Sequence, residues 1–450
     1  MHWNEETYVE IPFCTELEKL GWSILSLNKH QLPSESYRET FREVIIEPEV
    51  RSALSTINSW LEEDQITELV TRLQSFTSSP LIEKNQELTD LLINFTTVHE
   101  NRKDGTPSPT VKYIDFDHIE NNRFLAIRQF KIAIPGTDKH IIPDIILFVN
   151  GIPLVVVECK YPGIPEPISE AITQVFRYQD SRDSYEPEGN PLLYVYNLFS
   201  IATTADVARF GTIGGKEEHY LEWKDPYPVA ISSINPDGRT PDSQQVLIHG
   251  MLTPAHLLDI LQTFTVYMKN DQGRIIKIVS RYQQFRAVRK IVERLKSDRT
   301  PREKGGIVWH TQGSGKSLTM SFVIRAMKRD EELRQYKIVL ITDRANLDTQ
   351  LGDTAQTAKS PLYRANTIKD LKSLIASDSS NIIMAMMQKF QEKNGELAED
   401  AIREFPELNR SDKILLLIDE AHRTQASVLG ANIEKAMPHC TRVAFTEPPS

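Results

Sequence analysis

Asp144 heads one apolar run (IILFV), and Glu158 and Lys160 close the next (IPLVVVECK), with Asn150-Gly151 between the two. Asn-Gly best tolerates the positive φ angles of a two-residue turn, so the pair of runs reads as a β-hairpin. Residues two apart in a strand share a face, which puts Glu158 and Lys160 together and Asp144 opposite them. Two carboxylates there can hold Mg²⁺, a cation that prefers oxygen ligands. The ion would polarise a phosphodiester and lower the pKa of a bound water, while Lys160 orients that water or stabilises charge on the phosphate. Charged residues on a strand are usually a solvated face. Here Val155-Val156-Val157 precede Glu158 in a strand apolar enough to be central, and a charge in such a place needs a reason. Gln174 and Tyr178 stand at i and i+4 beside the apolar stripe Ile168, Ile172, Val175 and Phe176. Alone they are a helix surface with a half-buried tyrosine; with the hairpin they reach toward the metal or a DNA backbone.

A second constellation lies at Thr311-Gln312-Gly313-Ser314-Gly315-Lys316-Ser317, between the strand-like GGIVW and the helix-forming SLTMSFVIRAMK. That context suits a phosphate-binding loop, in which glycines let backbone N–H groups and the helix N-terminus face the phosphates. Thr311, Gly313, Ser314 and Gly315 would line the loop. Lys316 would meet the β and γ phosphates of ATP, and Ser317 would hold its Mg²⁺. The strict pattern begins on a small residue, and His310 stands there instead. After the apolar KILLLI, Asp419 would complete the Mg²⁺ shell and Glu420 would polarise the attacking water as general base. Gln284, within RYQQFRAVRK, can read an adenine edge, or is a polar residue on a helix that buries Phe285, Val288, Val292 and Leu295. Arg344 and Lys389 follow strand-like runs on the carboxyl edge of a sheet, where ligands bind, and are candidates for touching DNA.

Several elements must position these groups. Residues 1–100 read mostly as helices: TELEKLGW, YRETFREVII, and helical spacing from Val50 to Phe76. From Val111 to Lys160 the texture is that of strands (FLAIRQFKIAI, IIPDIILFV, IPLVVVECK), followed by a helix over Glu166 to Asp180 and the strands LLYVYN and FSIATT. Residues 215–250 read as loops, and Leu252 to Lys296 as helical. GGIVW, KIVLIT, NIIMAM, KILLLID and RVAFT then alternate with amphipathic helices, the pattern of a parallel sheet covered on both faces. The fold class is therefore α/β. The expected division is a nuclease-like domain over 1–250, a helical linker over 251–280 and a nucleotide-binding domain over 281–450. A net charge of −10 argues against a protein that coats nucleic acid broadly, without excluding positive charge confined to a groove. Cys14, Cys159 and Cys440 have no metal-ligand spacing, and the polar, acidic N-terminus has no signal character. A reduced, cytoplasmic setting fits best.

Pro143-Asp144 followed by Glu158-Cys159-Lys160 resembles the PD-(D/E)xK nuclease signature. With the Gln174/Tyr178 pair, RYQQFRAVRK, WHTQGSGKSLTM, ITDRANLDTQ, MQKF and IDEAHRT in that order, nearly the whole chain resembles the restriction subunits of type I restriction–modification enzymes. The resemblance implies a PD-(D/E)xK-like nuclease domain followed by the first RecA-like lobe of a superfamily 2 motor with a DEAH box. It implies Asp144, Glu158 and Lys160 as the DNA-cutting residues, Gln174 and Tyr178 as their accessory motif, and Glu10 as a further helical glutamate. It also implies ATP and Mg²⁺ as cofactors, ATP-driven translocation of double-stranded DNA, cleavage away from the recognition site, and methyltransferase and specificity subunits as partners. Phe445-Thr446-Glu447-Pro448-Pro449-Ser450 stands where such subunits carry a Thr-Gly-Thr-Pro-like motif. The chain is expected to stop after one motor lobe, to nick DNA at best and to turn over little ATP. The alternative is an ATP-dependent helicase or repair protein whose N-terminal domain only binds DNA.

Overall fold

Two stretches of β-branched and aliphatic runs build two separate six-stranded sheets, one in each of two compact units, residues 1–282 and 283–450. The computed structural model describes residues 4–94, 96–98, 110–182, 184–270, 272–310, 315–342, 361–390, 399, 403, 405–419 and 424–446. Thr311, Gly313, Ser314, Arg344 and Glu420 lie outside the described residues. Among the described residues no helix is long and apolar enough to cross a membrane.

In the first unit the sheet strands are β1 (Ser23–Ser26), β2 (Phe124–Arg128), β3 (Ile145–Val149), β4 (Ile152–Cys159), β5 (Phe199–Thr203) and β6 (Ala208–Gly211), neighbours in that order. β1 runs parallel to β2 and β4 parallel to β5; the other pairings are antiparallel. Every residue of β4 is buried, as a strand covered on both faces requires. Each of its three central valines contributes roughly 1.5–3 kcal/mol of apolar burial. The β3–β4 turn is the expected one: Asn150 and Gly151 have φ of 52° and 78°. Pro153, which has no N–H to give a ladder, sits where the register slips between Leu147 and Phe148. Helix α1 (Ile11–Lys19) follows a π-helical turn over Glu6–Glu10, and helix α2 (Pro167–Tyr178) follows β4. The apolar side of α2 packs on Ala202 of β5 and on Tyr220.

Five expectations differ from the structure. FLAIRQFKIAI is not one strand: Gln129 turns left-handed (φ 56°), ends β2 and starts a separate two-residue pairing at Ile132–Ala133. LLYVYN is helical over Pro191–Val195, because Pro191 opens a first turn whose free N–H of Leu192 donates to the Asn190 side chain. YRETFREVII is irregular. The Glu43 carboxylate takes the backbone N–H groups of Glu39 and Thr40, competing with helical bonds. Buried Arg38 donates to the carbonyls of Glu43 and Lys131 and lies over the Phe130 ring. Residues 251–280 are not a helical linker. They carry a helix (Pro254–Gln262) and an antiparallel hairpin (Thr265–Lys269, Ile275–Val279) that belong to the first unit. The stretch read as loops ends in a further helix, Ser243–Met251, capped by Asp242.

In the second unit, α3 (Tyr282–Lys296) leads to β7 (Gly306–Trp309), α4 (Lys316–Arg329), β8 (Lys337–Thr342), β9 (Leu362–Ala365), β10 (Ile382–Met386), β11 (Ile414–Ile418) and β12 (Thr441–Thr446). The sheet order is β7-β12-β11-β8-β10-β9, and all pairings are parallel. All the strands read from sequence are present; the edge strand β9 adds one, too exposed to show an apolar run. The carboxyl ends of β7, β8, β10 and β11 thus share one edge.

Candidate active site

Asp144 stands one residue before β3, and the pairing of Ile145 with Val157 sets it across from Glu158. Asp144 is held from two sides. Its Oδ2 accepts the backbone N–H of Cys159 at 2.8 Å, and its Oδ1 accepts from Gln129 Nε2 at 3.3 Å. Lys160 donates to Glu158 Oε1 at 2.6 Å and to the Cys159 carbonyl at 2.9 Å. The hairpin therefore brings the three expected residues together. Glu158 is 2% exposed, yet its Oε2 accepts no hydrogen bond among the described residues. Such an atom costs free energy unless something else meets it.

The π turn carries Glu10 into the same place. Its carboxylate accepts from Arg128 Nε and from Gln129 Nε2, both at 3.2 Å, and Arg128 also pairs with Glu6. One oxygen each of Glu5, Glu10 and Asp144 lie within 4.8 Å of one another. Five carboxyls (Glu5, Glu6, Glu10, Asp144, Glu158) thus face two cations, Arg128 and Lys160. Of the five carboxyls, Glu10, Asp144 and Glu158 are buried, while Glu5 and Glu6 reach solvent.

Burial leads the titration shifts of the three buried carboxyls, and the neighbouring charges modify it. Burial, then the charges of Glu158 and Glu10, push Asp144 well above the usual carboxylate range. Burial raises Glu158 to about 7 against the pull of Lys160, and burial likewise raises Glu10. Burial works against the Lys160 ammonium, but the Glu158 and Asp144 carboxylates outweigh it and hold the charge on. Carboxyls pressed together in this way fit a divalent cation with oxygen ligands.

Tyr178 is buried in α2, and its hydroxyl donates to the Ile142 carbonyl at 3.3 Å, two residues before Asp144. It also favours the Glu158 carboxylate. Gln174 is half-buried and accepts from Arg177 at 3.0 Å. Sequence reasoning missed Arg128, Gln129 and Glu5. The first two had a signal, since Arg128-Gln129 is a polar pair inside an otherwise apolar run. Glu5 had none beyond the acidity of the N-terminus.

In the second unit Gly315 caps the start of α4 with φ 86°, a left-handed conformation suited to glycine, and Lys316 is buried at that helix's first turn. Gln284 is buried on α3, and its Nε2 donates to the Gly315 carbonyl at 3.1 Å, so its amide touches the loop backbone. Ser317 follows on the same turn, half-buried. Asp419 directly follows β11, is buried, and accepts the Thr342 hydroxyl at 3.1 Å through Oδ2. Lys389 is exposed in a short 3₁₀ turn after β10.

Comparison with known proteins agrees with both units. Residues 2–219 match the family model described as type I restriction enzyme R protein N terminus, and residues 283–450 match that described as SWI2/SNF2 ATPase. The chain is 28% identical to the putative type I restriction enzyme MjaIXP endonuclease subunit of Methanocaldococcus jannaschii, over 99% of this chain and 42% of that protein. It is 29% identical to the type I restriction enzyme HindI endonuclease subunit of Haemophilus influenzae, over 96% of this chain and 41% of that protein. A Staphylococcus aureus relative, the SauMSSORF170P endonuclease subunit, is 22% identical over 100% of this chain and 43% of its own length. The chain spans about two fifths of the length of these curated relatives. A mixed α/β architecture with a parallel sheet, an R-protein N-terminal match and an ATPase match in this order make the chain similar, over nearly its whole length, to type I restriction enzyme endonuclease subunits.

Proposed function

We propose that the first unit is a PD-(D/E)xK-like, Mg²⁺-dependent DNA nuclease and the second a RecA-like motor lobe with a DEAH box that binds ATP. The observation that carries the nuclease reading is the buried Glu158 carboxylate, with one oxygen on Lys160 and the other unmet, beside buried Asp144 and Glu10. Asp144, Glu158 and Glu10 would hold the cation. When bound, it neutralises phosphate charge and makes a water acidic enough to attack. The chain's own groups do the positioning. Cys159 N–H and Gln129 fix Asp144, and Arg128 and Gln129 fix Glu10. Lys160 keeps its proton beside Glu158, so it offers a fixed positive charge where negative charge builds on the phosphate. Tyr178 and Gln174 line the flank as the accessory pair.

In the second unit Lys316 and the start of α4 would bind the phosphates of ATP. Ser317 and Asp419 would hold the nucleotide's Mg²⁺, and Glu420 would polarise the attacking water. Gln284 would read the adenine edge. Arg344 and Lys389, both following strands on the carboxyl edge, would touch DNA. In the complete assembly this chain would act with methyltransferase and specificity subunits in the cytoplasm, translocating double-stranded DNA and cutting it away from the recognition site.

The test is nicking of supercoiled plasmid by the chain with Mg²⁺, beside binding of a fluorescent ATP analogue. Glu158→Gln should abolish nicking and leave nucleotide binding intact, while Lys316→Ala should do the reverse. Nicking undiminished in Glu158→Gln would remove the nuclease assignment.

A further inference from the structure

The hairpin supplies Asp144, Glu158 and Lys160, but the group of oxygens close enough to share one ion is a different one: Glu5, Glu10 and Asp144, within 4.8 Å of one another. Two of these three come from the N-terminal turn. Its hydrogen bonding explains why they converge. At 3.6 residues per turn, side chains five apart point roughly 140° away from each other. The chain here is π-helical over Glu6–Glu10, and the Ile11 N–H donates to the Glu6 carbonyl five residues back. Residues five apart then stack on one side, and Glu5 falls in line with Glu10.

Glu5 is also tied to the nuclease lysine. Its Oε2 lies 3.9 Å from Lys160 Nζ, which also donates to Glu158 Oε1 at 2.6 Å and to the Cys159 carbonyl at 2.9 Å. Lys160 is thus the bridge between the hairpin carboxylate and the turn carboxylate. A second observation points to a ligand at this place. Glu158 Oε2, on the carboxylate that Lys160 links to Glu5, is buried at 2% exposure and accepts no well-formed hydrogen bond among the described residues, with the Tyr178 hydroxyl its neighbour on the α2 side.

We infer that Glu5 is a divalent-cation ligand of the nuclease site, a further carboxylate beside those of Asp144, Glu158 and Glu10. The inference rests on the nuclease reading above and adds a residue that neither the hairpin nor its accessory pair contains. The ligand class is a hard divalent cation such as Mg²⁺ or Mn²⁺, since the donors are all carboxylate oxygens. The turn that bears Glu5 is then part of the site, and Lys160 holds Glu5 as well as Glu158.

The experiment is a Mn²⁺ titration of the 450-residue chain in nucleotide-free buffer, read by the electron paramagnetic resonance signal of free Mn²⁺. Wild type is compared with Glu5→Gln, Asp144→Asn, and Glu18→Gln, an exposed glutamate on α1 that removes the same charge away from the site. Glu5 is half-exposed, so its amide variant should keep the fold, which circular dichroism checks. Glu5→Gln should weaken Mn²⁺ binding by about tenfold or more, as expected for loss of one charged ligand, with Glu18→Gln unchanged. Glu5→Gln binding within twofold of wild type, with Asp144→Asn impaired, overturns the role of Glu5 and leaves the nuclease reading standing. Unaltered binding in both variants overturns both.

Discussion

Lys277 lies in the hairpin strand Ile275–Val279, fully enclosed in the first unit, and gives a test of how the fold tolerates an uncompensated charge. Its Nζ donates to Asn85 Oδ1 at 2.9 Å and to the Asn197 carbonyl at 2.7 Å, beneath the Tyr267 ring. Burial alone holds its pKa well below the usual lysine value. A lowered lysine pKa means that the unfolded chain binds more protons than the folded one between the folded value and about 10.4. Stability in that window must therefore rise with pH. The slope for one group is roughly 1.4 kcal/mol per pH unit.

Lys277→Met keeps the length of the side chain and removes the charge. Neither acceptor is abandoned: Asn85 Oδ1 keeps the Tyr267 hydroxyl at 2.5 Å, and the Asn197 carbonyl keeps Asn85 Nδ2 at 2.9 Å. The variant should be the more stable protein near neutral pH, and its advantage should shrink by up to roughly 1.4 kcal/mol for each unit toward pH 10. Urea unfolding followed by tryptophan fluorescence measures this, since Trp22 and Trp223 are both buried in this unit. A difference between the two proteins that is flat from pH 7 to 9.5 would refute the reasoning. So would a variant destabilised equally at every pH, which would mean the hydrogen bonds outweigh the burial of charge.

Two backbone predictions follow from close approaches. Gly151→Ala would place a Cβ 2.5 Å from the Ile46 carbonyl at a φ of 78°, with backbone on the far side that cannot move freely. It should cost about 1–3 kcal/mol for the left-handed strain alone, measured by urea unfolding, and its nicking should fall with the hairpin's register. An alanine as stable as wild type would show that the turn is not pinned against Ile46. Gly315→Ala, at φ 86°, meets Gln284 Nε2 at 2.6 Å. It should cost a similar amount and lower the affinity for a fluorescent ATP analogue, and Gln284→Ala in combination should relieve the steric share of the stability cost without restoring the affinity.

The parallel sheet of the second unit was legible because each of its central strands is an unbroken aliphatic run, which only a two-faced burial explains. Edge strand β9 was not, since Tyr363 and Arg364 face solvent and leave no run to see. The first unit was harder for a different reason. Its misread segments are governed by single side chains that satisfy distant backbone groups, as Arg38 does for Lys131 and Asn190 for Ala133. No local periodicity encodes a partner that far away in the chain. The same limit explains why residues 251–280 looked like a linker: Lys277 and Tyr267 are polar positions whose buried partners, Asn85 and Asn197, arrive from elsewhere.

For the candidate site, the hairpin was readable because both of its strands and its turn are contiguous, so spacing alone sets Asp144 against Glu158 and Lys160. What spacing could not reach is the set of groups that decides whether such a trio can work. A central strand tolerates Glu158 only if its two oxygens are met, and the hairpin itself meets only one, through Lys160. The groups that hold Asp144 and Glu10 come from a left-handed Gln129 and its neighbour Arg128, and Glu10 itself from a π turn; Gln129 and the π turn are local departures from regular geometry. Regular elements satisfy their own backbone and aim side chains at fixed periods, so crowding several carboxylates around one point requires breaking that period. The irregularities that defeated the reading of FLAIRQFKIAI as one strand are therefore the same features that bring Gln129 and Arg128 to the carboxylates.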